Sequence, residues 1–224
     1  ETRLRRCACG RAGAAAQPGR LERLADELAG LAACTFDSFD LDRQLVELVV
    51  SRDAAGRPTR TLSPEAQRAQ LDRALSVAML YAERPAGWLY IHGPPGAGKS
   101  HLAAAIANAR VASGGRVVYR STPGLLDALR PGGGEGDPER VMDAVLRAEL
   151  LILDDLGAER LSAWAADRMF RIVNERQGRP TVITSNVDPD GLLDDRIASR
   201  MHMATPCWLP VSDYRRVVGA AGRL

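Results

Sequence analysis

From residue 63 onward, short apolar runs alternate with longer stretches in which apolar residues recur at helical spacing. Five runs read as strands: Trp88 to His92, Arg116 to Arg120, Leu150 to Asp155, Pro180 to Asn186 and Cys207 to Val211. Between them the pattern predicts helices over Ser63 to about Glu83, Leu102 to Val111, Thr122 to Leu129, Pro138 to Ala148, Leu161 to Gln177 and Asp194 to Met203, with a last one starting at Ser212. Ser63-Pro64-Glu65 supplies an N-cap, a proline at the first helical position and an acid in the first turn, while Pro85 sets the far limit. Strands separated by helices of this length predict an α/β fold, a parallel sheet with both faces covered.

The first third is less regular. Leucines at 21, 24, 28 and 31 predict an amphipathic helix over Pro18 to Cys34. Phe36 and Phe39 follow among polar residues and are expected to plug a pocket edge or pin the linker to the core. Ser51 to Thr61 is polar and turn-rich and reads as a linker, and Arg130 to Asp137 as a glycine-rich excursion. The boundaries are residues 1–34 for a basic, cysteine-containing arm and helix, 35–62 for the linker and pocket edge, and 63–224 for the main domain.

Composition narrows the function classes. With 224 residues the chain can bury a real core, and its net charge of +2 does not by itself argue for nucleic acid. No apolar run approaches the roughly 18 residues of a membrane span, and the arginine-rich start lacks the apolar segment of a signal peptide. Glu1 rather than Met stands first, which leaves room for an upstream piece. Four cysteines in a chain of this size make no disulfide framework, so a reducing, cytoplasmic setting fits. Cys7 and Cys9 supply half of a zinc site or two plain thiols in an arm; the other two ligands have no nearby source.

The chemistry concentrates at Gly93-Pro94-Pro95-Gly96-Ala97-Gly98-Lys99-Ser100, which satisfies G-x-x-x-x-G-K-[ST] between a strand-like run and a helical run. Glycines let backbone N–H groups and a helix N-terminus face an anion without a Cβ between. Lys99 is expected to reach the β- and γ-phosphates, and the Ser100 hydroxyl to ligate Mg²⁺. Lys99 is also the only lysine in the chain, as expected where a compact, flexible ammonium is needed rather than a planar guanidinium. His101 follows directly and joins the expected ATP-binding set.

A second constellation closes the third strand. Asp154 and Asp155 end a buried-type run, where two adjacent carboxylates are costly unless a cation or water meets them. Asp154 is assigned to Mg²⁺, partly through water, and Asp155 to orienting and deprotonating an attacking water. Thr184, Ser185 and Asn186 give the next strand a polar tip, suited to the γ-phosphate or the lytic water or to ordinary capping. Arg196 and Arg200 share one face of their helix.

Taken together, HGPPGAGKSHL, LLILDDLGAE, ITSN, RIASRM and SDYRR, in this order from about Thr35 to Arg216, resemble the AAA+ ATPases of the DnaC/DnaI helicase-loader and IstB transposition-helper group. The resemblance implies a P-loop NTPase of AAA+ type, a three-layer αβα domain with a five-stranded parallel sheet of order 5-1-4-3-2 and an N-terminal helical and linker appendage. It makes Lys99 and Ser100 the Walker A residues, Asp154 and Asp155 the Walker B pair, and Asn186 sensor 1. Arg200 is similar to the arginine finger that acts on a neighbouring subunit's ATP, with Arg196 as second choice, and Arg215 to sensor 2. Also implied are rings or spirals, a replicative helicase as partner, and single-stranded DNA bound on a face that here carries Arg120 and Arg130. Cys7 and Cys9 resemble the second half of the group's N-terminal zinc element, so Zn²⁺ would need an upstream cysteine pair in a longer chain. Asp155 stands where glutamate is commonest across AAA+ proteins, and the helicase-docking segment is largely missing.

The leading expectation is a Mg²⁺-dependent ATPase that serves DNA replication as a helicase loader and uses nucleotide as its release switch. A transposition helper that coats duplex DNA is the alternative. A small-molecule kinase on the same loop ranks third, since neither a substrate lid nor an arginine-rich clamp is evident.

Overall fold

The computed structural model describes residues 26–131, 137–157, 162–192 and 194–215. Cys7, Cys9, residues 18–25 of the Pro18 to Cys34 helix and the centre of the Arg130 to Asp137 excursion lie outside the described residues, and the described part of that helix ends at Ala29 rather than Cys34, followed by turns.

In chain order the described elements are α1 (Asp26–Ala29), β1 (Leu48–Arg52), β2 (Pro58–Leu62), α2 (Pro64–Glu83), β3 (Trp88–His92), α3 (Lys99–Ala112), β4 (Val117–Ser121), α4 (Thr122–Ala128), α5 (Pro138–Arg147), β5 (Leu150–Leu156), α6 (Ala163–Glu175), β6 (Thr181–Ser185), α7 (Asp195–Met201) and β7 (Thr205–Trp208). The larger sheet runs β4-β5-β6-β3-β7 with every pair parallel. Numbered by its own five strands, that is the expected order 5-1-4-3-2.

Continuous apolar runs become strands here because both faces of the sheet are covered. Leu89, Ile91, Leu150, Ile152 and Val182 point into a core shared with α2 and α3. Their neighbours Trp88, Tyr90, Leu151, Leu153 and Ile183 point into a second core with α4, α5, α6 and α7. The small alanines of α3, Ala103, Ala104, Ala105 and Ala107, let that helix lie close against the sheet, with Leu102 to Ala107 buried throughout. Ser63 caps α2 as its sequence predicts, accepting from the Ala66 N–H.

Two departures have physical reasons. The Ser51 to Thr61 segment, expected as a linker, belongs to an antiparallel hairpin of β1 and β2. Its turn is closed by Asp53, whose Oδ1 accepts from the Ala55 and Arg57 amides at 2.9 and 2.8 Å, with Gly56 at φ 78°. Polarity in this stretch reflects exposure of the ribbon, not lack of structure. The last strand ends earlier than expected, at Trp208, because its register against β3 runs Leu89↔Thr205 to His92↔Trp208 and His92 is the end of that partner. Leu209 and Val211 stay buried past the strand.

Two of the buried polar side chains, Gln67 and Arg176, tie distant segments together. Gln67 donates to the Val46 and Leu62 carbonyls and accepts from the Ser212 N–H, so α2 ties the hairpin to the C-terminal segment. Arg176 is fully buried with its guanidinium donating to Thr181 Oγ1 and to the carbonyls of Val145, Leu146, Ala148 and Pro180. Its own carbonyl accepts the Trp88 indole N–H. Desolvation, uncompensated by any carboxylate contact, pulls the Arg176 pKa down to about 10. Cys34 and Cys207 are free thiols, and burial pushes Cys207 up to about 12. No helix among the described residues is long and apolar enough to cross a membrane.

Candidate functional site

The loop from Gly93 to Gly98 joins β3 to α3 at the carboxyl edge of the sheet, the edge where open α/β sheets hold ligands. The helix begins at Lys99, inside the motif and three residues before the predicted start, with Gly98 as its cap at φ 105°. A side chain at 98 would also crowd the Phe39 ring, 2.9 Å from the Cβ position. At Gly96 (φ 72°) the left-handed backbone and the nearby Asp213 carboxylate, which a Cβ would run into, both favour glycine.

Two segments far apart in sequence hold this loop from behind. Leu209 N–H donates to the His92 carbonyl at 2.7 Å and Tyr214 N–H to Gly96 at 3.2 Å. From the other flank Arg43 donates through Nη1 to the Ala97 carbonyl at 3.1 Å and through Nε to the Asp40 backbone carbonyl at 3.0 Å. The Arg43 guanidinium lies 4.8 Å from the Phe39 ring and 5.5 Å from that of Tyr214, is 5% exposed, and leaves Nη2 buried without a hydrogen-bond partner. Burial lowers its pKa, with Asp40 opposing. His101 packs edge-on to Phe39 and bonds through Nε2 to the Thr35 carbonyl at 2.9 Å.

In front of the loop lies a cavity of about 610 Å³. One end is walled by Lys99, Ser100, Asp154, Asp155, Thr184 and Asn186, the other by Phe39, Arg43, His101 and Tyr214, with Arg215 also lining it. Lys99 Nζ donates to Gly93 O, Pro94 O and Asn186 Oδ1 at 2.9, 2.9 and 2.8 Å. Asn186 Nδ2 in turn donates to Asp155 Oδ1 at 3.0 Å, and Ser100 Oγ to Asp154 Oδ1 at 2.9 Å. Burial lowers the Lys99 pKa, while Asp155 and Asp154 pull the other way.

The aspartates sit on a distortion. Pairing of β5 with β6 runs regularly to Leu153↔Ile183 and resumes at Leu156↔Ser185, so Asp154 and Asp155 together oppose the single residue Thr184. Asp155 takes φ 62°, the left-handed region, at a cost of about 1–3 kcal/mol for a residue with a Cβ.

The expected residues divide into two groups. Gly93, Pro94, Pro95, Gly96, Ala97, Gly98, Lys99, Ser100, His101, Asp154, Asp155, Asn186 and Arg215 converge on the cavity or build the loop behind it. Arg196, Arg200, Arg120 and Arg130 do not line it. Arg196 and Arg200 both pack over the Phe170 ring of α6, at 4.6 and 4.5 Å, and Arg200 donates to Asn174 Oδ1 at 2.8 Å. Arg130 pairs with Asp127. Residue chemistry gave no warning of Arg43, whose only sequence signal is its place four residues beyond Phe39.

A divalent cation fits only as a partner of phosphates. Ser100 Oγ and Asp154 Oδ1 offer two adjacent oxygens, the donor type Mg²⁺ takes, and among the described residues no group of three or more His, Cys, Asp or Glu forms a cage.

The chain is similar to known ATP-binding proteins. The family model for IstB-like ATP binding proteins matches residues 76–191, just over half of the chain. A putative insertion-sequence ATP-binding protein of Sinorhizobium fredii is 33% identical over 138 residues, covering 57% of this chain and 46% of its own. The replicative helicase loader DnaC of Buchnera aphidicola (subspecies Baizongia pistaciae) is 29% identical over 136 residues, covering 56% and 55%. A crystal structure of the DnaC helicase loader superposes with a TM-score of 0.56 at 28% identity, over 62% of this chain and 89% of that one. The chain thus spans about half the length of the curated relatives it matches.

Proposed function

Because this chain belongs to the IstB-like ATP-binding protein family, we propose that it binds ATP with Mg²⁺ at the Gly93–Ser100 loop and hydrolyses it in an assembly where a neighbouring copy completes the site. One observation carries the reading: Lys99, Asn186 and Asp155 form one hydrogen-bonded chain, and Ser100 with Asp154 a second, across adjacent strands facing one cavity.

Lys99 exchanges its loop carbonyls for the β- and γ-phosphate oxygens, which suits a cation already stripped of much of its water. Ser100 and Asp154 hold the metal, which supplies charge neutralisation on the phosphates. Asp155 orients the attacking water and accepts its proton, and Asn186 sits between Asp155 and the γ-phosphate, positioning both. Phe39, Arg43, His101 and Tyr214 surround the nucleoside, and Arg215 reaches the phosphates from the C-terminal segment. Arg200, or Arg196 beside it, lies away from this cavity and serves the ATP of the next subunit in a ring or spiral.

On the biological role we place the chain with the helicase loaders, as a DNA-replication accessory protein that holds a replicative helicase and single-stranded DNA through the face bearing Arg120 and Arg130. The similarity to DnaC proteins supports this. A transposition helper is the second reading, favoured by the family match and by the insertion-sequence relatives. Asp155→Asn should bind ATP without turning it over and capture partners in that state. Co-purified replicative helicase supports the loader, and a transposase the helper. Undiminished hydrolysis by the variant would remove Asp155 from the chemistry.

A further inference from the structure

Thr184 lies on β6 opposite both aspartates, is 1% exposed, and has a single hydroxyl with two fixed partners. Its Oγ1 accepts from the Asp155 amide at 2.9 Å. An amide N–H can only donate, so that contact occupies a lone pair of the hydroxyl and leaves its one proton for another acceptor. The acceptor is Asp154 Oδ1, the oxygen that also receives Ser100 Oγ.

The backbone explains why a hydroxyl is wanted at this place. Where two residues oppose one, the Asp155 N–H has no strand partner in β6, and the Thr184 side chain takes the part of the missing carbonyl. The same contact pins Asp155 in its left-handed conformation from the amide side, while Asn186 pins its carboxylate.

We propose that Thr184 is the positioning residue of the metal site. It locks Asp154 and Asp155 to one another and keeps the Asp154 carboxylate aimed when Ser100 turns its oxygen from Asp154 to Mg²⁺. Asp154 has two anchors in the structure, Ser100 and Thr184. When Ser100 serves the cation its proton is withdrawn from Asp154, and Thr184 alone orients that carboxylate. Removing the hydroxyl should therefore be felt mainly as weakened Mg²⁺ use, the usual consequence of losing a group that orients a metal ligand.

This rests on reading the cavity as a Mg²⁺–ATP site, and the experiment separates the two claims. A fluorescent ATP analogue is titrated without divalent cation, then with rising Mg²⁺, into wild type, Thr184→Val and Thr184→Ser, with thermal melts of each. Valine keeps the shape and removes the hydroxyl; serine keeps the hydroxyl. Expected is a roughly 10-fold or greater rise in the Mg²⁺ midpoint for T184V, metal-free affinity within about twofold of wild type, and recovery in T184S. An unchanged midpoint in T184V, or a lowered melting temperature as its sole effect, overturns the proposal. Wild type that binds no ATP, or ignores Mg²⁺, sinks the reading of the cavity instead. If T184V does not fold, T184A against T184S carries the same contrast.

Discussion

Replacing Lys99 with methionine separates a lysine that holds the fold from one that waits for a ligand. The side chain is 7% exposed and has exchanged water for two loop carbonyls and Asn186. Burial is the largest influence on its pKa and disfavours the charged form, so the empty protein gains little from the ammonium. Methionine keeps the length and covers the same apolar surface, so the stability of the empty protein should move by no more than about 1 kcal/mol, roughly 2–4 °C in Tm. Binding is another matter. Two charge-assisted bonds to phosphate oxygens, at about 1.5–3 kcal/mol each, amount to about 3–6 kcal/mol, or roughly 10²- to 10⁴-fold in Kd. A nucleotide titration beside a thermal melt reads both quantities. The reasoning fails if K99M binds ATP within threefold of wild type, or if its empty form melts more than about 10 °C lower. The pH dependence has a definite sign. With its folded pKa below the unfolded value, charged Lys99 carries a cost that is fully present below the folded pKa. That cost is lost as pH rises through the folded pKa towards the unfolded one, so any stability advantage of K99M should shrink in alkaline buffer.

Two further outcomes follow from other parts of the molecule. Arg200→Ala should leave ATP affinity unchanged in dilute protein yet lower turnover at concentrations where the protein assembles; equal turnover there would take the finger role from Arg200. Arg176→Met strands four buried carbonyls and the Thr181 hydroxyl, so it should cost about 3–5 kcal/mol and lower Tm by about 10 °C in a calorimetric melt, with a shift under 3 °C contradicting the buried-hub account.

What the sequence made legible is what depends on local pattern. Apolar runs such as Leu150 to Leu153, the Ser63-Pro64 cap and the spacing of Gly93 to Ser100 each dictate a local shape, and the strand–helix alternation then leaves few topologies. Features that depend on distant partners were not legible. Arg176 and Gln67 carry no local sign of burial, because nothing nearby in sequence shows that carbonyls from other elements will surround them. The bulge at Asp154 and Asp155 appears only once β6 fixes the register, and with it the double duty of Thr184. The hairpin of β1 and β2 was hidden by its composition, since an exposed ribbon lacks the buried face that usually betrays a strand.

The way the loop is gripped from behind has a mechanical consequence. Its carbonyls at Ala97 and Gly96 are tethered to Arg43 on one side and to Tyr214 on the other, and Arg43 rests against the Tyr214 ring. A tug on either flank, from a partner protein or a fused tag, is delivered to the loop proposed to seat the phosphates rather than dissipated at the surface. Conversely, whatever settles in that seat can tighten or slacken both reins at once.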